Sequence, residues 1–179
     1  VTKGGNIINA DRQLMLFAAD VLSRNAGSKI IFDVKCTRNL APWISQHGGT
    51  PVMWKTGHSF IKSKLIETKA LLAGEMSGHL FFKERWYGFD DGLYAGARLL
   101  ELLSREADIN ATLNNLPDSI NTPELQVRTS EGENHTLIAQ LQKNAVFNNP
   151  QQVITIDGLR VEYSDGFGLA RASNTTPVI

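Results

Sequence analysis

The chain has 179 residues, 42% of them hydrophobic and 20% charged, and its 18 basic side chains balance 18 acidic ones. That is ordinary globular chemistry, and with no basic excess the sequence argues against nucleic acid and anionic membranes as partners. One cysteine, Cys36, excludes an internal disulfide and suits a reducing, cytoplasmic setting, and no apolar run reaches transmembrane length.

The opening VTKGGNIINA has neither an initiator Met nor the regions of a signal peptide, so both ends read as cut. Asp11 is a predicted N-cap for RQLMLFAADVLSRN, in which Leu14, Phe17, Ala18 and Val21 repeat at helical spacing. KIIFDV (29–34) is a short apolar run of the kind buried in a parallel sheet. A helix through NLAPWISQH follows, with Pro42 in its first turn and Gly48-Gly49 as its stop. Next come a strand PVMW (51–54), a helix SFIKSKLIETK, a strand ALLA (70–73) and the strand-like HLFFKE (79–84). Asp90 is then a predicted cap for a long helix whose Leu93, Ala97, Leu100 and Leu103 line one side. Strands alternating with helices predict parallel βαβ units with right-handed crossovers.

Near residue 105 the pattern changes. NATLNNLPDSINTPE (110–124) reads as a linker. Beyond it lie LQVRTS, a polar-faced helix over 133–145, and the strands QVITID, LRVEYS and GLARAS. Asp157-Gly158 predicts a two-residue hairpin, and Leu159, Val161 and Tyr163 share one strand face with Arg160 and Glu162 opposite. Val178 and Ile179 read as the start of another strand. The expected architecture is a mixed, mainly parallel α/β/α domain over 1–105, a linker over 106–122 and a small, truncated α+β domain with an antiparallel sheet over 123–179.

Three strand ends carry the candidate chemistry. Lys35 closes the first strand, His58 follows the second in KTGHS, and GEMSGH after the third supplies Glu75, Ser77 and His79. If GEMSGH is extended, those three project to one side, and a carboxylate beside a hydroxyl suits neighbouring sugar hydroxyls. Ligands of open α/β sheets gather beyond the carboxyl ends of parallel strands. The scattered histidines form no credible metal site, and capping explains Asp90 and Asp91 better than metal binding does. Cys36, beside Lys35 and Arg38, reads as a passive buried thiol. In RASNTT, Arg171 offers a planar fork for phosphate, while Ser173, Asn174 and Thr175 add neutral donors. Arg160 is expected to reach the same place across the hairpin.

GEMSGHLFFKERWYGFDDG, RASNTTP, FDVKCTR and WKTGHS together resemble, in order and spacing, motifs of the α-D-phosphohexomutases, most of all the bacterial phosphomannomutase/phosphoglucomutase type. The resemblance runs nearly the full length and covers the third domain and most of the fourth of enzymes that set four domains around one cleft. It implies interconversion of mannose or glucose 1-phosphate and 6-phosphate through a phosphoserine and a 1,6-bisphosphate intermediate. Glu75 and Ser77 would hold sugar hydroxyls. Arg171, Ser173, Asn174 and Thr175 would grip the non-reacting phosphate, bordered by Arg160. Lys35, His58 and His79 would lie near the reacting end, with His58 or Lys35 moving protons. The implied cofactors are Mg²⁺ and glucose 1,6-bisphosphate as activator. The implied partners are a phosphorylated hexose and missing N-terminal domains of the same enzyme. The phosphoserine and aspartate-rich metal loops of that family do not occur here, so the chain alone is expected to be inactive. A phosphoglucosamine mutase and a non-catalytic sugar-phosphate module are the alternatives.

Overall fold

The computed structural model describes residues 1–179 and divides into two units, Val1–Ser119 and Ile120–Ile179. In the first, α1 (Ala10–Arg24), β1 (Lys29–Asp33), α2 (Leu40–Gln46), β2 (Thr50–Trp54), α3 (His58–Thr68), β3 (Leu72–Gly74), β4 (Leu80–Phe82), α4 (Gly92–Leu103) and α5 (Ile109–Asn114) follow in order. The sheet runs β2-β1-β3-β4, with β1 parallel to both neighbours and β4 antiparallel at the edge. The middle of β1, residues 30–32, is apolar because both of its faces are covered. Ile30 and Phe32 join Leu14, Phe17, Leu40 and Ile44 in the larger core, whereas Ile31 packs with Ile61 and Leu65 of α3. Phe17 and Phe82 meet edge to face with centroids 5.1 Å apart. Each such buried ring contributes roughly 1.5–3 kcal/mol relative to exposure.

Several local expectations change. The N-cap of α1 is Asn9, and Asp11 sits inside the helix, buried, accepting from the backbone N–H of Arg12 (2.9 Å) and Thr37 (2.8 Å). Asp91, not Asp90, caps α4 by accepting from Tyr94 N. Of the stripe that lines one side of α4, Leu93 is 91% and Leu100 71% exposed while Leu103 packs against the larger core, and Ala95 and Arg98 are buried. The expected linker contains α5, and Leu113 and Leu116 pack into the larger core. Arg12 holds that segment by donating to the carbonyls of Leu116 (2.9 Å) and Pro117 (3.1 Å) and pairing with Asp118.

The second unit contains α6 (Glu133–Asn144), β5 (Gln152–Ile154), β6 (Leu159–Glu162) and β7 (Phe167–Ala170), with an antiparallel β5-β6-β7 sheet. The β5–β6 connection spans 155–158, longer than the predicted two-residue hairpin, with Gly158 at φ 86°. Val178 and Ile179 do pair as a strand would. Val127 and Ile179 exchange both backbone hydrogen bonds at 2.9 Å, around a bridge between Arg128 and Val178.

An ion-pair network joins the apolar contacts under α4. Arg98 stacks over Phe82 (4.8 Å) and donates to Asp20 (2.7 Å) and Glu84 (2.9 Å), while Arg24 forks onto Asp20. Hydrogen bonds from Arg24 lower the Asp20 carboxyl from 3.8 to about 2, against the opposing effect of burial and with help from Arg98. A depressed carboxyl stabilises the fold above its unfolded pKa, and that stability is lost as pH falls from 3.8 toward about 2. The shift corresponds to on the order of 2 kcal/mol. Asp20→Asn should therefore flatten the acid limb of stability across that window, as measured by urea unfolding over a pH series. An unaltered acid limb would contradict the network's role.

Candidate functional site

The parallel arrangement of β1, β2 and β3 brings the loops that follow them out at one edge. Lys35 lies half-buried after β1, His58 is the exposed first residue of α3, and Glu75, Ser77 and His79 occupy the β3–β4 connection. That connection is a tight turn rather than extended chain. Glu75 N donates to His79 O and Gly78 N to Glu75 O, both at 3.0 Å. The three side chains consequently do not share one face: Glu75 is 2% exposed, Ser77 stands at the exposed tip and His79 is half-buried.

The Glu75 carboxylate crosses to the loop after β2 and accepts a hydrogen bond from Gly57 N. Gly57 adopts φ 125°, open only to glycine without strain, so the amide is presented by a backbone shape that any side chain would disfavour. Burial raises the Glu75 pKa, the Gly57 bond offsets part of that, Asp33 adds to it, and His79 and His58 oppose it. The imidazoles of His58 and His79 have centroids 6.0 Å apart. His79 Nδ1 lies 2.5 Å from Asp90 Oδ2, and Asp90 Oδ1 also accepts from Leu80 N (3.3 Å). With Nδ1–H donating to the carboxylate, Nε2 is the nitrogen that can take a proton. Asp33, at the end of β1, is 0% exposed and accepts from Cys36 Sγ, Thr56 Oγ1 and Met76 N at 2.8–3.0 Å. Burial, then Asp33, pushes the Cys36 thiol pKa well up, matching its expected passivity. The signal for Asp33 was present in KIIFDV as a carboxylate flanked on both sides by apolar residues, and that for Asp90 in its place just before a helix.

In the second unit Arg171 Nε donates to Asp157 Oδ2 (2.8 Å), from the loop between β5 and β6. Ser173 Oγ accepts from the backbone N–H of Thr175 and Thr176 (3.3 Å each) and from Thr176 Oγ1 (3.0 Å), closing the loop on itself, with Asn174 and Thr175 exposed. The Arg160 side chain is wholly buried, donating a hydrogen bond through Nε to Glu162 (2.7 Å), ion-paired with it through Nη2 (2.6 Å) and stacked 3.6 Å over Phe167. A polar strand face is thus filled by a paired, ring-covered guanidinium. No group of three or more His, Cys, Asp or Glu side chains is placed to hold a metal, so Mg²⁺ has no fit among these residues.

Nothing in the sequence singled out Asn134, yet it organises the loop. It is 3% exposed in the first turn of α6, and its Nδ2 donates to the carbonyls of Ser173 (3.0 Å), Thr176 and Val178 (3.3 Å each). Asn134→Ala leaves those acceptors short of a donor, at about 1–3 kcal/mol. Hydrogen exchange at 173–179 should accelerate in this variant, and unchanged protection would show that the clamp is dispensable.

Residues 9–120 match the phosphoglucomutase/phosphomannomutase alpha/beta/alpha domain III, and residues 124–179 match the C-terminal domain of the same family. Over its whole length the chain is 66% identical to a phosphoglucomutase of Neisseria meningitidis serogroup A and 57% identical to a phosphomannomutase/phosphoglucomutase of Pseudomonas aeruginosa, covering 39% of each. The crystal structure of a phosphoglucomutase/phosphomannomutase family protein from Burkholderia thailandensis matches with a TM-score of 0.94 at 66% identity, over 99% of this chain and 38% of that one. The chain spans about two fifths of the length of these relatives. It belongs to the phosphoglucomutase/phosphomannomutase family.

Proposed function

We propose that this chain supplies sugar and phosphate recognition to a phosphohexomutase that interconverts 1- and 6-phosphates of glucose and mannose. The observation that carries the reading is the convergence of Glu75, His58 and His79 at the carboxyl edge of β1–β3. In the first unit, Glu75 and Ser77 are the sugar-hydroxyl ligands. In the second, Arg171, Ser173, Asn174 and Thr175 grip a phosphate. Asp157 fixes the Arg171 rotamer through Nε, which leaves the two terminal nitrogens as the fork for phosphate oxygens. Lys35 supplies positive charge near the reacting end. The relatives' shared phosphoglucomutase naming makes glucose 1-phosphate the natural probe.

In the proposed reaction a sugar hydroxyl oxygen bonds to the phosphorus of a phosphoserine as the serine P–O bond breaks, and the hydroxyl proton passes to a base. His79 is better placed for that than His58 or Lys35, because Asp90 fixes the orientation and tautomer of its ring. The phosphoserine, Mg²⁺ and 1,6-bisphosphate activator belong to the proposal through the family resemblance, as do further domains of the same enzyme and a cytoplasmic location. No helix here is long and apolar enough to cross a membrane.

Two measurements test this reading. Arg171→Ala should weaken glucose 1-phosphate binding by about 1.5–3 kcal/mol, the scale of a charged hydrogen bond, in an NMR titration. A loss below a few tenths removes Arg171 from the site. Joined to a complementary upstream half, the chain should turn over mannose 1-phosphate with Mg²⁺, and Asp90→Asn should lower kcat by about 10²–10⁴, the range of general acid–base catalysis, with little change in KM. Equal turnover by Asp90→Asn would move the proton away from His79.

A further inference from the structure

We propose that Asp33 is the positioning residue of the first unit's site: one carboxylate ties the loops after β1, β2 and β3 together and thereby sets where Glu75 can stand. The inference rests on the reading of Glu75 and Ser77 as sugar-hydroxyl ligands. Asp33 is the last residue of β1, the strand flanked by β2 and β3, so its side chain emerges where all three loops begin. Its oxygens divide the work. Oδ1 accepts from Cys36 Sγ (2.9 Å), in the loop after β1, and from Met76 N (3.0 Å), in the loop after β3. Oδ2 accepts from Thr56 Oγ1 (2.8 Å), in the loop after β2.

Glu75 is thereby held from two directions. Its peptide neighbour Met76 is bonded to Asp33, and its carboxylate is bonded to Gly57 N, in a loop whose preceding residue, Thr56, is bonded to the same Asp33. A buried carboxylate is costly to desolvate unless hydrogen bonds satisfy it. Moving any one loop would strip Asp33 of a hydrogen-bond donor, which makes the three loops a unit. Charge enters as well. Asp33, His58 and His79 face Glu75 from β1, α3 and the β3–β4 turn, the first raising its pKa and the two histidines lowering it.

The test uses this 179-residue chain, with Thr56→Val, Thr56→Ser and Asp33→Asn variants, followed by NMR. Thr56→Val removes the hydroxyl at constant shape. It should shift the Met76 amide resonance, which lies across the Asp33 carboxylate from residue 56, and weaken glucose 1-phosphate binding about tenfold. Thr56→Ser retains the hydroxyl and should restore both to within about twofold of wild type. Asp33→Asn presents an amide N–H₂ to groups that themselves donate; where it folds, it should weaken binding at least as much as Thr56→Val and lower the Glu75 pKa. An unmoved Met76 resonance in Thr56→Val, or wild-type affinity in both Thr56→Val and Asp33→Asn, overturns the inference. If the wild-type chain itself shows no shifts at 75–79 with glucose 1-phosphate, the ligand reading falls and takes the inference with it.

Discussion

The structure of the first unit depends on carboxylates buried without a matching cation at the end of the parallel sheet. Asp11, Asp33 and Glu75 are 4%, 0% and 2% exposed, and the donors placed against them are peptide N–H groups, a hydroxyl and a thiol. Neutral donors satisfy a buried anion only while the backbone that presents them stays fixed. The Thr37 amide fixes the loop after β1, Gly57 that after β2, and Met76 that after β3. The electrostatic cost of these anions therefore doubles as the rigidity of the rim.

The second unit solves a related problem with opposite charge. Its candidate phosphate loop follows directly on β7, and its backbone carbonyls are tied by an amide side chain, Asn134, and by the short pairing of 127–129 with 177–179. Arg171 is pre-set by Asp157, and Arg160 is neutralised locally by Glu162 beneath Phe167. Two arginines that look alike in sequence thus part ways: one is held at its inner nitrogen only, the other is packed as part of the core.

How much of this was legible in the sequence follows from the range of the interactions involved. β1, α1, α2, α3 and α6 were readable because periodicity and stop signals act within a few residues. The parallel sheet followed from strand–helix alternation. The turn at 75–79 was not readable as a turn, since its closing bonds depend on β3 pairing with an antiparallel neighbour, a partner that the local alternation does not reveal. The buried leucines of 106–122 were masked by Asn and Pro around them, and their burial is decided by Arg12 more than a hundred positions earlier in the chain. Lys35, His58 and His79 could be placed by strand ends alone, but the orienting groups Asp33, Asp90 and Asn134 lie beyond what spacing encodes.

The face chosen by α4 makes the same argument in energetic terms. Its sequence offers two stripes: Leu93, Ala97 and Leu100 on one, Tyr94, Ala95, Arg98 and Leu102 on the other. Hydrophobicity alone favours the first, and the fold buries the second. Exposing Leu93 and Leu100 forgoes roughly 1.5–3 kcal/mol for each side chain left in water. Turning the helix to bury them would pull Arg98 away from Asp20, Glu84 and the Phe82 ring, leaving two largely buried carboxylates without their shared partner. Asp20 would keep Arg24, and Glu84 would keep Arg24 and Arg85, but neither guanidinium is as buried as that of Arg98, and the pairs that Arg98 makes go with the rotation α4 takes about its axis. With that rotation fixed, Asp91 caps the helix, and Asp90, one residue outside it, is left to meet His79.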